Sequence, residues 1–250
     1  MVTASGPRWA RIDEALARYL DGPPWAGGSP TGEDAPWSEA ALLAPVEPSK
    51  VVCVGRNYRA HAKELGHEVP SEPLLFLKPP SAVVGPGATV RLPPQSARVE
   101  HEGELVVVCG RRLRDVTPEE ALRGLFGVTC GDDVTARDLQ RKDVQFTRGK
   151  GFDTFCPLGP WVREGMVDRD AELTVTVNGV RRQRGWVRDM VFPVGELVAY
   201  ISAVMTLEPG DVVFTGTPEG VGPLLDGDRV TVEISGIGAL HHGVAPRRSP

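Results

Sequence analysis

No apolar run in this 250-residue chain approaches the ~20 residues that a helix needs to cross a bilayer. The opening, Met1-Val2-Thr3-Ala4-Ser5-Gly6-Pro7, lacks the basic-then-apolar layout of a secretory signal. Cysteine is scarce. Cys53, Cys109, Cys130 and Cys156 form no CxxC pair, which argues against a disulfide or zinc set and for reduced core thiols of a cytoplasmic protein. Positive charge is not in excess: 28 Lys and Arg stand against 33 Asp and Glu, a net charge of -5, so nothing recommends a nucleic-acid partner. No GxGxxG follows the first apolar strand, where Val54-Gly55-Arg56-Asn57-Tyr58 stands instead, and this argues against a dinucleotide-binding oxidoreductase. Internal repeats and low-complexity tracts are also missing.

Turn formers are abundant, with 29 Gly and 23 Pro, and they point to many tight turns and short strands. The length and a hydrophobic fraction of 41% allow one large core, or one plus a small lobe. The pattern reads as a β-rich α+β protein built on a folded or barrel-like sheet, with a small N-terminal lobe over residues 1–48 and the main body over 49–250. Ile12, Leu16, Ala17 and Leu20 suit one stripe of a helix over residues 11–20, and residues 38–43 carry a weaker helical hint. Strands are expected at residues 50–54, 74–77, 99–108, 125–130, 211–215, 228–234 and 238–240. Helices are expected at 58–65, at 118–125 with Thr117 and Glu120 as a capping box, at 135–144 with Thr135 as cap, and at 192–207. Asn178-Gly179 suits the two-residue turn of a hairpin.

The strand over residues 99–108 contains a conflict. Alternation puts Glu100, Glu102 and Glu104 on the side that later carries Val106 and Val108. Carboxylates running into a buried strand need company, and two spaced i, i+2 suit a hard divalent cation. The plain alternative is a strand leaving the core with its glutamates solvated. Asp133, in a turn after an apolar strand, is the natural third ligand, although an Asx-type turn explains it equally. All-oxygen ligation favours Mg²⁺, Mn²⁺ or Ca²⁺ over zinc or copper. His61 and Glu64 fall on one helical face, as a histidine base oriented by a carboxylate would, or as a fortuitous surface pair. Lys150, flanked by glycines outside any Walker frame, suits a fixed charge beside an anionic substrate, or is a solvated loop lysine. Arg137 and Gln140 could grip a substrate carboxylate. The loop Gly216-Thr217-Pro218-Glu219-Gly220-Val221-Gly222 could close over a ligand.

Six motifs occur in order: Gly55-Arg56-Asn57-Tyr58 with His61 and Glu64; Leu75-Phe76-Leu77-Lys78-Pro79; Glu102-Gly103-Glu104-Leu105; Asp133-Val134-Thr135-Ala136-Arg137-Asp138; Lys150-Gly151-Phe152-Asp153; and Thr215-Gly216-Thr217-Pro218-Glu219-Gly220-Val221-Gly222. Together they resemble the fumarylacetoacetate hydrolase family over roughly residues 50–236. The first 48 residues resemble the N-terminal extension of bacterial members often called 2-hydroxyhepta-2,4-diene-1,7-dioate isomerases. The resemblance implies Glu102, Glu104 and Asp133 as ligands of Mg²⁺ or Mn²⁺, with Ca²⁺ as a substitute in vitro. It implies His61 and Glu64 as a water-activating pair, Lys150 as a catalytic lysine, and Arg137 and Gln140 as contacts to the substrate carboxylate. Lys78 and Thr217 would line the same pocket. The implied fold is a mixed β-sheet roll, the implied assembly a homodimer. Three positions depart from the pattern: Asp132 where Asn is frequent, Gly151 where Ser is common, and Leu240-His241-His242-Gly243 where the ending usually contains Asn.

The expected activity is metal-dependent enolate chemistry on a 2-oxo or 2-hydroxydienoic diacid, of the hydroxyheptadienedioate isomerase/decarboxylase kind found in aromatic catabolism. The alternatives are a C–C hydrolase of acylpyruvates or fumarylacetoacetate, and an oxaloacetate decarboxylase or tautomerase. A non-catalytic ligand-binding β-roll is a further alternative. Every enzyme reading takes a small-molecule partner, with no membrane and no nucleic acid.

Overall fold

The structure, a computed structural model, describes residues 1–4, 6–13, 16–38 and 41–247. Strands dominate. The main sheet has seven strands in the order Leu74–Lys78, Val51–Gly55, Val212–Phe214, Gly103–Cys109, Leu125–Asp132, Cys156–Glu164 and Val83–Val84. A second sheet runs Val180–Trp186, Glu172–Val177, Arg229–Ile234, Gly238–Pro246 and Thr89–Leu92. Both mix parallel and antiparallel pairs and curl into the half-barrel body of an α+β fold. Among the described residues no helix is long and apolar enough to cross a membrane.

Apolar side chains fill both faces of the main sheet. Leu105 and Val107 join Val175 and Val232 of the second sheet in one cluster, while Val106 and Val108 join Cys53 and Phe214 in another. Two glycines make this packing feasible. A Cβ on Gly103 would lie 2.2 Å from Val175 Cγ2, so the sheets meet at a distance that excludes any side chain there. A Cβ on Gly131, which pairs with Glu104, would lie 2.5 Å from the Phe214 ring. All four cysteines are free and buried. Burial pushes the thiols of Cys109, Cys130 and Cys156 up to about 12, which leaves them inert as nucleophiles.

Local signals predicted several elements well. Thr117 accepts from the Glu120 amide and the Glu120 side chain accepts from the Thr117 amide, closing the capping box of helix Pro118–Arg123. The Asn178-Gly179 hairpin forms with both residues at positive φ. Three expectations fail. Trp9–Ile12 and Leu16–Leu20 are paired antiparallel strands, where a helix over residues 11–20 is expected. Asp13 Oδ1 accepts the Leu16 amide at 2.8 Å, and the pairing splits the expected stripe, with Ile12 and Ala17 on one face and Leu16 and Leu20 on the other. Helix Arg137–Asp143 starts after Ala136, since Thr135–Ala136 pairs with Val99 and Glu100 as a strand. Thr135 is therefore not its cap; its hydroxyl donates to the Asp133 carbonyl. The strand over 99–108 breaks at Glu102: Val99–His101 belongs to a three-stranded sheet and Gly103–Cys109 to the main one. The helical hint at residues 38–43 includes 39 and 40, which lie outside the described residues.

Trp9–Ile12, Leu16–Leu20 and Pro30–Pro36 form a separate three-stranded sheet. Between it and the body lies a cavity of about 650 Å³ walled by Trp9, Trp25, Trp37 and Trp161, four of the five tryptophans.

Candidate active site

The break at Glu102 brings the acidic residues together. Glu102 has no ladder partner, so its amide donates to Asp132 Oδ1 at 2.7 Å and its carbonyl accepts the Asp133 amide at 2.9 Å. The chain turns there without leaving a buried backbone group unsatisfied. Glu102, Glu104 and Asp133 each offer an oxygen, all within 4.8 Å of one another, and all three are buried. Among the described residues they are the one group of this kind.

Cations surround two of the three carboxylates. Lys150 Nζ donates to Glu102 Oε2 at 2.7 Å and to Asp133 Oδ2, and it lies 4.9 Å from the Phe76 ring centre. Lys78 Nζ donates to Asp133 Oδ1 at 2.6 Å and to the Val134 carbonyl at 3.1 Å. Arg137 donates to Glu100 Oε2 at 2.7 Å, to Glu102, and to Gln140 Oε1 at 2.7 Å. Among the described residues Glu104 has no such partner. Its hydrogen bond comes from the Gly216 amide at 2.6 Å.

The protonation preferences follow. Burial pushes Glu102 up, but Lys150 and then Arg137 outweigh it and hold the carboxyl well below the usual range. Burial pulls Lys150 down, and Asp133 with Glu102 reverses this, so the ammonium persists above the usual lysine range. Burial, Asp133 and Glu102 all push Glu104 well above the ordinary carboxylate range. Two lysines and one shared arginine leave a surplus of buried negative charge at Glu104. An all-oxygen donor set with surplus charge fits a hard divalent cation.

The His61 ring, nearly buried, has Nδ1 3.2 Å from Glu64 Oε2. Helix Arg59–Glu64 is held by Asn57, whose side chain donates to the Thr215 and Phe192 carbonyls at 2.7 and 3.1 Å and accepts the Phe192 amide at 2.8 Å. Glu64 also accepts the Gly220 amide at 2.9 Å, tying the helix to the 216–222 loop. Thr217 donates to the Gly103 carbonyl at 2.8 Å and accepts from Gln183 at 2.8 Å.

A cavity of about 330 Å³ opens onto this group. His61, Glu102, Glu104, Asp133, Arg137, Gln140, Lys150 and Thr217 all line it, and Glu64 backs His61. Lys78 is outside the lining; its ammonium faces Asp133 from behind. Sequence reasoning passed over four supports. Glu100, expected only at the strand's entrance, anchors Arg137. Gln183 holds both Thr217 and His101, whose Nδ1 is 2.9 Å from Gln183 Oε1. Asn57 bolts the helix, and Asp132 caps the Glu102 amide. Asn57 lay inside a quoted motif, Asp132 stood out as a departure from the family pattern and Glu100 shared the conflicted strand, but Gln183 carried no signal.

The family profile described as "Fumarylacetoacetate (FAA) hydrolase C-terminal" matches residues 50–245. The chain belongs to the fumarylacetoacetate hydrolase family. A second profile, "Rv2993c-like, N-terminal", matches residues 2–45. The chain is 45% identical to Protein Rv2993c of Mycobacterium tuberculosis over 260 aligned positions, covering 100% of this chain and 98% of that one. The crystal structure of 2-hydroxyhepta-2,4-diene-1,7-dioate isomerase from Mycobacterium marinum superposes with a TM-score of 0.91 at 42% identity, covering 99% of this chain and 97% of the other. Oxaloacetate tautomerase FAHD1, mitochondrial, of Arabidopsis thaliana is 44% identical over 81% of this chain and 93% of its own. Fumarylacetoacetate hydrolase family members are enzymes, among them isomerases, hydrolases and tautomerases.

Proposed function

We propose that this protein is a divalent-metal-dependent enzyme of enolate chemistry, acting on a 2-oxo or 2-hydroxydienoic diacid as a hydroxyheptadienedioate isomerase or decarboxylase. The observation that carries this is Glu104, a buried carboxylate without a cationic partner among the described residues, beside Glu102 and Asp133. Those three residues would hold Mg²⁺ or Mn²⁺, and the ion would supply positive charge where the enolate oxygen develops. Residues 1–48 form the accessory lobe and 49–250 the catalytic domain of this enzyme.

The chain's own groups account for the proton transfers. With Nδ1 turned to Glu64, His61 has Nε2 left to take a proton from the substrate carbon or from water. Returning the proton to a different carbon completes an isomerisation; in a decarboxylation the departing CO₂ itself leaves the electron pair of the enolate, which takes up one proton from solvent through His61. Lys150 adds fixed positive charge that needs no reorganisation. Gln140 and the remaining donors of Arg137 orient the carboxylate next to the reacting carbonyl.

The rest of the cavity lining supports a second carboxylate. Leu65, Leu74, Phe76, Val144 and Phe146 make an apolar stretch, and Arg56 and Arg141 line the same opening without a partner among the described residues. Burial, Arg56 and Arg141 together lower the His67 pKa, consistent with these groups facing one another. An apolar lining with further arginines beside it suits an unsaturated diacid longer than oxaloacetate. Oxaloacetate tautomerisation is the second reading, favoured by the Arabidopsis relative and requiring the same enolate. Turnover of dienedioates, oxaloacetate and acylpyruvates, with Mg²⁺ and with a chelator, separates these. Dienedioate conversion that is lost on chelation is the expected result. Equal rates with and without metal would overturn the proposal.

A further inference from the structure

Asp132 adjoins Asp133 in sequence but faces away from the cavity, and no proton transfer above uses it. Its carboxylate is fully buried. Oδ1 accepts the Glu102 amide at 2.7 Å, and Oδ2 lies 2.8 Å from Nε2 of His242, a side chain also fully buried. Asp132 ends a strand of the main sheet, while His242 belongs to Gly238–Pro246 in the second sheet. The contact therefore joins the two sheets at the point where the chain breaks at Glu102.

The Glu102 amide is buried and outside any ladder, so its orientation follows its acceptor. Asp132 Oδ1 is that acceptor, and the plane of the Asp132 carboxylate is fixed by its other oxygen. A carboxylate only accepts, so the proton between the two side chains resides on His242. The Asp133 amide meanwhile donates to the Glu102 carbonyl at 2.9 Å. Two of the three clustered carboxylates thus extend from backbone that Asp132 orders, one through its hydrogen bond and one through the peptide that follows it.

We propose that Asp132 and His242 are a positioning pair that sets the spacing of Glu102 and Asp133 and thereby the affinity for a divalent cation. This rests on the metal reading above. It accounts for a buried acid–histidine contact, 110 residues apart in sequence, at a place where an apolar pair would fill the space.

Mn²⁺ binding to the full-length protein, followed by the electron paramagnetic resonance of free Mn²⁺, tests it alongside thermal melts. Asp132→Ala removes the acceptor and is expected to weaken Mn²⁺ binding about 10- to 100-fold. His242→Leu keeps volume without a donor and should weaken it about 10-fold. His242→Gln keeps an N–H for Asp132 and should stay within about 3-fold of wild type. The Gln variant retains the buried contact, so the comparison survives if a harsher variant fails to fold. Variants that melt earlier yet bind Mn²⁺ as wild type does would reduce the pair to a structural bolt and overturn the inference. A Gln variant as weak as the Leu variant would remove the role of the donor. No Mn²⁺ binding by wild type would instead overturn the metal reading itself.

Discussion

At the N-terminal sheet, opposite charges meet at the exposed surface; around Glu102 they meet buried. Arg11 pairs with Glu164, and Arg18 with Asp13, through side chains roughly half exposed. That sheet is held by rings instead: Trp9 meets Trp25 edge-on at 5.0 Å, and Trp25 meets Phe126 at 5.6 Å. The central pairs of Lys78, Lys150 and Arg137 are nearly all fully buried. An exposed pair is a minor decoration on a packed surface, whereas a buried pair cannot lose one member without stranding the other. The difference separates a region that tolerates charge changes from one in which each charge is tied to several others.

The strongest way to break this contrast is Asp133→Ala. It removes one ligand and leaves two buried lysines short of a partner, so Mg²⁺-dependent turnover should vanish and stability should fall by about 3–5 kcal/mol in a urea titration. His61→Ala should cost about 10²- to 10⁴-fold on an acylpyruvate, whose cleavage needs water, and less on oxaloacetate. Equal losses on both would remove the water-specific role. Glu104→Gln sharpens the contrast in the opposite direction. Because the folded state holds the Glu104 proton more tightly than the unfolded one, metal-free protein loses stability as pH rises through that raised pKa, by up to about 1.4 kcal/mol per pH unit. The Gln variant should lose that pH dependence while failing to bind Mg²⁺; calorimetric melts across a pH series above the ordinary carboxylate range would reveal it. The smallest effect belongs to Arg11→Ala, where a change below about 1 kcal/mol that disappears in high salt is expected.

The fold was legible where a signal is local. Thr117 with Glu120, and Asn178 with Gly179, each announce a geometry within a few residues. The stripe at Ile12, Leu16, Ala17 and Leu20 misled because strand pairing, which puts Ile12 and Ala17 on one face and Leu16 and Leu20 on the other, overrides a short apolar spacing. The acid cluster was legible by its chemistry, since glutamates entering a valine-rich strand need an explanation. The break at Glu102 was not, because alternation says nothing about a side chain 30 residues later that captures an amide. Lys78 was expected at the pocket by resemblance; its ammonium reaches the site through Asp133, which lines the cavity, a contact that sequence spacing does not reveal. Asp132 and His242 looked like two unrelated departures from the family pattern until the second sheet brought them together.

The space-limited glycines matter for reading genetic data on this protein. At positions 103 and 131 even alanine would bring a new atom within 2.2 and 2.5 Å of a neighbour. A saturation-mutagenesis map would therefore colour both positions as intensely as Glu102 and Glu104, although neither glycine has a group that could touch a ligand. Intolerance in the Glu-Gly-Glu stretch records two different demands, chemistry and room, and a fitness score alone would merge them.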